Sequence, residues 1–127
     1  VCFIPYQPKE ELNYSLNAAD VHWVVNSKGI KGVSCPSKYY GCASCAKPVL
    51  GVLEKGSEIR LLIEETGGGL VSEPGDYAAI EANIRWFIEH ADDEALRNMG
   101  RRSRENLEAN LTKNVSVEKY KNAILGL

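Results

Sequence analysis

Val21-His22-Trp23-Val24-Val25, residues 26 to 36 (NSKGIKGVSCP), Ser37 to Ala46, and Lys47-Pro48-Val49-Leu50-Gly51-Val52-Leu53 form the stretch on which the fold turns. The first five residues are β-branched and nearly all apolar, as in a strand buried on both faces. The connection after them carries Gly29 and Gly32, and Ser37 is a good N-cap for a helix running to about Ala46. Val49 to Leu53 is again a short apolar run. Two strands joined through a helix make a βαβ unit, which implies a parallel sheet with a right-handed crossover.

The same alternation extends outward. Val1 to Ile4 reads as a strand ended by the prolines of Pro5-Tyr6-Gln7-Pro8. Lys9 to Ala19 reads as a helix with Leu12, Leu16 and Ala19 on one face, and with Glu10 and Glu11 in the first turn, where the dipole favours acids. Downstream, Ser57 is placed to cap a helix through Thr66, Gly67-Gly68-Gly69 to stop it, and Leu70-Val71 to form a strand. Asp76 then caps a helix carrying Ile80, Ile84, Phe87 and Ile88, with Trp86 and Phe87 as core or interface residues. Asp92 or Asp93 caps another through about Asn110, and Ser116 a last one with Val117, Tyr120 and Ile124. The expected order is βαβαβαβααα. It describes one α/β, Rossmann-like domain over residues 1–127, with about four parallel strands and helices on both faces.

The 127 residues are 44% hydrophobic and 25% charged, ordinary values for a globular domain, so disordered, collagen-like and coiled-coil classes drop out. A formal charge of −2 argues against a general nucleic-acid binder, which needs an excess of lysine and arginine. The longest aliphatic run, Val49 to Leu53, is far short of the roughly 20 residues a membrane span requires. The chain begins at Val1 with no initiator Met and no basic leader, which suggests a piece of a longer protein.

Four cysteines, Cys2, Cys35, Cys42 and Cys45, lie among apolar or small residues in a chain long enough to fold without staples, and read as reduced packing residues in a cytosolic compartment. Cys42-Ala-Ser-Cys45 together with Cys35 also admits a metal or thiol site, but neither His22 nor His90 is spaced to complete one. Arg101, Arg102 and Arg104 stand among Glu94, Glu105 and Glu108 and read as a solvated helix face.

The charge is segregated. Between Asp20 and Glu54 lie thirty-three residues without a single Asp or Glu, holding Lys28, Lys31, Lys38 and Lys47. In a sheet of this kind ligands bind at the carboxyl ends of the strands, which here means Pro5 to Lys9, Asn26 to Lys38, Glu54 to Glu58 and Ser72 to Asp76. A glycine-bearing basic loop that empties onto a helix start has the parts of an anion site, the fitting ligand being a phosphate or diphosphate. The alternative, scattered solvated lysines and a Ser37 that only caps its helix, stays open at this level.

Pro36-Ser37-Lys38-Tyr39-Tyr40-Gly41 followed by Ala46-Lys47-Pro48-Val49-Leu50 resembles a segment of the C-terminal domain of family 4 (group 1) glycosyltransferases of the GT-B fold. In register with it are Phe3-Ile4-Pro5-Tyr6-Gln7-Pro8 with Glu11-Leu12, Ala18-Ala19-Asp20-Val21, Gly56-Ser57-Glu58-Ile59, and Gly69-Leu70-Val71 with Pro74-Gly75-Asp76. The resemblance covers the chain to about Tyr120. It implies the nucleotide-sugar-binding part of a retaining enzyme of hexosyltransferase type, usually metal-free and without a cofactor, acting in bacterial polysaccharide or glycolipid assembly. The chain would be part of a GT-B C-terminal domain, a fragment of a larger two-domain protein and inactive in isolation. The partners implied are a nucleotide-sugar donor and an acceptor sugar or lipid-linked glycan, the latter held by a missing N-terminal domain. The full-length protein would be cytoplasmic and at most peripheral at the inner face of the membrane.

Carried over residue by residue, the resemblance places the donor diphosphate at Ser37, Lys38, Tyr40 and Gly41. Gly29, Lys31 and Gly32 fall on the loop beside the sugar, Tyr6 and Gln7 near the nucleobase, and Ser57 and Glu58 elsewhere in the cleft. Catalytic residues stay unassigned. Many members carry a Glu, seven residues and a second Glu that holds the ribose; here the second position falls at Gly41 and the first near Lys31 or Val33. Ala46 also stands where a glycine usually precedes Lys-Pro. A non-catalytic Rossmann-like module that binds a nucleotide or partner protein and has lost the glutamate pair is the competing reading.

Overall fold

The computed structural model describes residues 1–127. Three four-residue strands, β1 (His22–Val25), β2 (Val49–Val52) and β3 (Gly69–Ser72), lie side by side in sequence order, and both pairings are parallel. Val24, Gly51 and Val71 stand level across them. The helices are α1 (Leu12–Asn17, entered through a 3₁₀ turn at Lys9–Glu11), α2 (Lys38–Ser44), α3 (Glu58–Thr66), α4 (Tyr77–Glu89), α5 (Glu94–Asn110) and α6 (Lys113–Leu125). This is the expected α/β, Rossmann-like class with a smaller sheet.

The missing strand is Val1 to Ile4, which lies exposed and outside the sheet. A short apolar run becomes a strand only when a neighbour accepts its ladder, and β1, the edge strand on that side, is hydrogen-bonded to β2 alone. Exposed Trp23 and Val25 mark the uncovered face of that edge.

Two crossovers of the same hand put α2 and α3 on one face of the sheet. There Val24, Val49 and Leu53 pack with Tyr39, Cys42 and Ala43 of α2 and Ile59 and Ile63 of α3, all essentially inaccessible to solvent. Tyr39, Cys42 and Ala43 recur at i, i+3 and i+4, which makes that side of α2 apolar. The other face is covered by α4, where Phe87 and Leu50 meet Leu96 from the start of α5. The four cysteines are unpaired, Cys42 buried and Cys45 half-buried, but Cys2 and Cys35 are exposed and not packing residues.

Helix α5 closes the end of the sheet opposite the strand tips. A Cβ on Gly100 would overlap the Ala46 carbonyl, and one on Gly68 would overlap Ser103 Oγ. Arg102 donates to the carbonyls of Thr66 and Gly67 at the end of α3, and Arg104 donates to Ser44 O at the end of α2 (3.2 Å). These arginines therefore cap two helix C-termini, where cations are favoured, and are not merely a solvated face. Only Arg101, paired with Glu105 at 3.7 Å, is confined to its own helix.

Several helix ends differ from their expected form. Asp76 caps α4 by accepting from Ala79 N (3.0 Å). Asp93 occupies the N-cap of α5 without a side-chain bond. The last helix begins earlier than expected: Thr112, not Ser116, is its cap and accepts from Val115 N at 3.4 Å. Gly67 ends α3 in the left-handed region at φ +59°, as a glycine stop should.

The end of α2 is a Schellman turn. Lys47 N donates to Cys42 O and Ala46 N to Ala43 O, each at 3.0 Å, with Ala46 at φ +53°. Ala46 has the one positive φ in the chain outside glycine.

Candidate functional site

The carboxyl ends of β1, β2 and β3 release three loops, residues 26–37, 53–57 and 73–76. The first folds over itself, with Val33 N and Ser34 N donating to Ile30 O and Asn26 Nδ2 donating to Ser34 O (3.1 Å). Gly29 (φ +89°) and Gly32 (φ +77°) supply the two left-handed positions this path needs.

Helix α2 starts at Lys38, with Ser37 just before it in a helical conformation and making no side-chain capping bond. Capping requires an extended backbone at that position, which the Cys35-Pro36 approach does not deliver. The Ser37 hydroxyl is thus exposed beside the helix start and uncommitted to it. Ser57 precedes α3 in an extended conformation, yet its Oγ is inaccessible to solvent and has no hydrogen-bond partner, so it too departs from the expected cap.

Two depressions flank this edge. An open groove of ≈ 990 Å³ is lined by Tyr6, Gln7, Leu12, Tyr14 and Lys38, among others. Tyr6 and Gln7, expected near a nucleobase, thus share a groove with Lys38, expected at the diphosphate. The Lys38 ammonium donates to Trp23 O (3.1 Å). A second, narrower cleft of ≈ 370 Å³ lies between the 31–36 segment and the start of α3, and brings together Lys31, Gly32, Ser57 and Glu58. The structure thus brings Tyr6, Gln7 and Lys38 to one recess and Lys31, Gly32, Ser57 and Glu58 to the other, while Gly29, Ser37, Tyr40 and Gly41 line neither.

Tyr40 and Gly41 face inward from these recesses. Burial pushes the Tyr40 phenol up to about 12, and Cys35, whose Sγ lies 3.9 Å from the hydroxyl, adds to the rise. A Cβ on Gly41 would lie 3.4 Å from Leu16 Cδ1, so this position carries the contact between α1 and α2. Beneath them burial raises the Tyr39 phenol; the Ser103 and Thr66 hydroxyls oppose that rise, although the Tyr39 hydroxyl has no hydrogen bond of ordinary geometry. Cys42 is likewise pushed up by burial, against the nearby Lys38 charge.

Carboxylates missed by the sequence reading complete the site. Glu54, the first acid beyond the basic window, folds back so that its Oε2 accepts from Gly29 N (2.9 Å) and Lys31 N (3.2 Å). Lys31 Nζ donates to Lys55 O (2.9 Å). Glu73 Oε1 accepts from Lys55 N (2.9 Å) and Arg60 Nη1 (2.7 Å), and Arg60 also reaches Leu53 O (3.0 Å) and Glu64. The signal available in the sequence was position alone: Glu54 and Glu73 each stand just past a strand end.

Cys35, Cys42 and Cys45 join no cluster of His, Cys, Asp or Glu able to hold a metal ion. His22 is buried in β1 with its Nε2 2.8 Å from Leu16 O, and His90 stacks on Trp86 at the end of α4. No helix is long and apolar enough to cross a membrane.

The parallel sheet, the crossover helices on one face and the loops released at the strand tips define a Rossmann-like α/β unit. The chain is 35% identical over 113 residues to the probable glycosyltransferase WbjE of Pseudomonas aeruginosa, an alignment that takes in 89% of this chain and 27% of that protein. The chain thus spans about a quarter of the length of that relative, and the similarity supports a relationship to glycosyltransferases. No family model matches the chain, and no solved structure matches it.

Proposed function

We propose that this chain is the donor-binding portion of a retaining glycosyltransferase of hexosyltransferase type, built on the GT-B plan, with the diphosphate of a nucleotide-sugar held at Ser37 and Lys38. The observation that carries the reading is the similarity, along most of the chain, to a probable glycosyltransferase. Local chemistry agrees with it. Ser37 offers a hydroxyl that its own helix does not use, and Lys38 supplies a cation beside the groove that also holds Tyr6 and Gln7. In transfer from a nucleotide-sugar, negative charge develops on the departing diphosphate, so fixed positive charge and N–H groups at that point lower the barrier.

On this reading Lys38 and Ser37 bind and steady the diphosphate. The cleft between the 31–36 segment and α3 receives the sugar, with Glu58 at its rim. Gly41 fills space against Leu16, so ribose recognition falls to other groups. The acceptor, a sugar or lipid-linked glycan, is bound outside these residues, and the isolated chain is inactive. No metal or cofactor enters the scheme.

Isothermal titration of UDP and GDP into the chain, compared with Lys38→Gln, tests the reading. Loss of one charge-assisted contact should weaken binding about tenfold. Equal affinity in the two proteins would remove Lys38 from the site.

A further inference from the structure

We infer that Glu54 is a positioning residue: its carboxylate holds the 29–31 turn in the conformation that forms the wall of the sugar-side cleft. The inference rests on the donor-site reading for what the cleft binds, while the hold itself rests on geometry alone.

A single oxygen, Oε2, accepts from two backbone N–H groups two residues apart, Gly29 N and Lys31 N. Both belong to a turn that departs from ordinary backbone conformation at Gly29 and Gly32, so no helix or strand ladder fixes it. Paired N–H groups of this kind make a small anion-binding concavity, and a carboxylate from a neighbouring loop fills it here. Lys31 reinforces the same junction through its ammonium on Lys55 O.

The anchor for Glu54 is in turn fixed. Lys55 N is held by Glu73 from the end of β3, and Glu73 is held by Arg60, whose guanidinium is largely buried. The links run from Arg60 through Glu73 and Lys55 to Glu54 and then to Gly29 and Lys31, tying together the loops after all three strands. Lys31 and Gly32, at the end of that series, line the cleft together with Ser57 and Glu58. Removing the Glu54 carboxylate therefore frees the cleft wall without touching the hydrophobic core.

The test compares the wild-type chain with Glu54→Ala and Glu54→Gln, reading backbone amide exchange and the affinity for UDP-glucose, with UDP, which lacks the sugar, as the control. In Glu54→Ala the amides of Gly29 and Lys31 should exchange at least about tenfold faster while those of the strands keep their protection. UDP-glucose should bind about tenfold more weakly, the size expected for one lost charge-assisted hydrogen bond, while UDP keeps its wild-type affinity. Glu54→Gln retains an acceptor oxygen and should bring both readouts back to within roughly threefold of wild type, a rescue that general destabilisation would not give. Unchanged exchange at Gly29 and Lys31 in Glu54→Ala, or a glutamine variant as impaired as the alanine one, overturns the inference. If the wild-type chain fails to bind UDP at all, the donor reading falls, and the exchange comparison alone decides whether Glu54 holds the turn.

Discussion

Replacing Ala46 by glycine should stabilise this protein. Ala46 sits at φ +53° in the Schellman turn that ends α2, a position where the β-carbon crowds the neighbouring carbonyl and glycine is normally found. Holding an L-residue there costs roughly 1–2 kcal/mol. Glycine removes that cost but adds freedom to the unfolded chain, an opposing effect of roughly 0.4–1 kcal/mol. The net expectation is a gain of about 1 kcal/mol, which in a chain of this length raises the melting temperature by roughly 4 °C. The bonds from Lys47 N and Ala46 N are backbone bonds and survive the change, as does the packing of Gly100 on the Ala46 carbonyl. Urea denaturation should show a higher midpoint with an unchanged slope. Gly75→Ala is the reciprocal control, because Gly75 has φ +92° and open space around its missing β-carbon; it should lose about as much as Ala46→Gly gains. An Ala46→Gly protein no more stable than wild type, alongside a destabilised Gly75→Ala, would show that the left-handed backbone at Ala46 carries no such cost.

Two further outcomes follow from the packing and the titrations. Gly100→Ala should destabilise by roughly 3 kcal/mol in the same denaturation assay, because its β-carbon would overlap backbone at Ala46, which cannot turn aside as a side chain can. Tyr40 titrates at about 12 in the folded chain and at about 10 when unfolded, so the neutral phenol favours the folded state. That contribution is complete below pH 10 and is lost as the pH rises towards 12, with Tyr39 shifted the same way. Tyrosinate absorbance should therefore develop late for these two side chains, and Tyr40→Phe should flatten the alkaline loss of stability.

The parallel α/β class was legible because Val21 to Leu53 contains a whole βαβ unit, and its apolar runs needed no distant information to be read as strands. Val1 to Ile4 has the same composition and failed as a strand, since ladder pairing depends on a neighbour that local sequence does not supply. Caps showed the same division. Asp76 and Gly67 act as read, whereas Ser37 lacks the extended backbone a cap needs, and Ser116 lost its place to Thr112 four residues earlier. The basic window was real in sequence and incomplete in space: Glu54 folds back onto its loop, and no count along the chain reveals that contact. Likewise Arg104 pairs with Glu108 on its own helix, as its surroundings in the sequence indicate, but it also reaches the Ser44 carbonyl, and Arg102 is turned to the Thr66 carbonyl, targets about forty to sixty residues away.

On the proposed function a nucleoside diphosphate binds where α2 begins. Titrating UDP into the isotopically labelled chain while following backbone amide shifts decides whether it does. Saturable shifts are expected, centred on Ser37, Lys38 and Gly41, with Tyr6 and Gln7 responding from the adjoining groove. Amides there that stay still at millimolar UDP, or shifts that gather instead on the arginines of α5, would rule out a diphosphate site at this helix start.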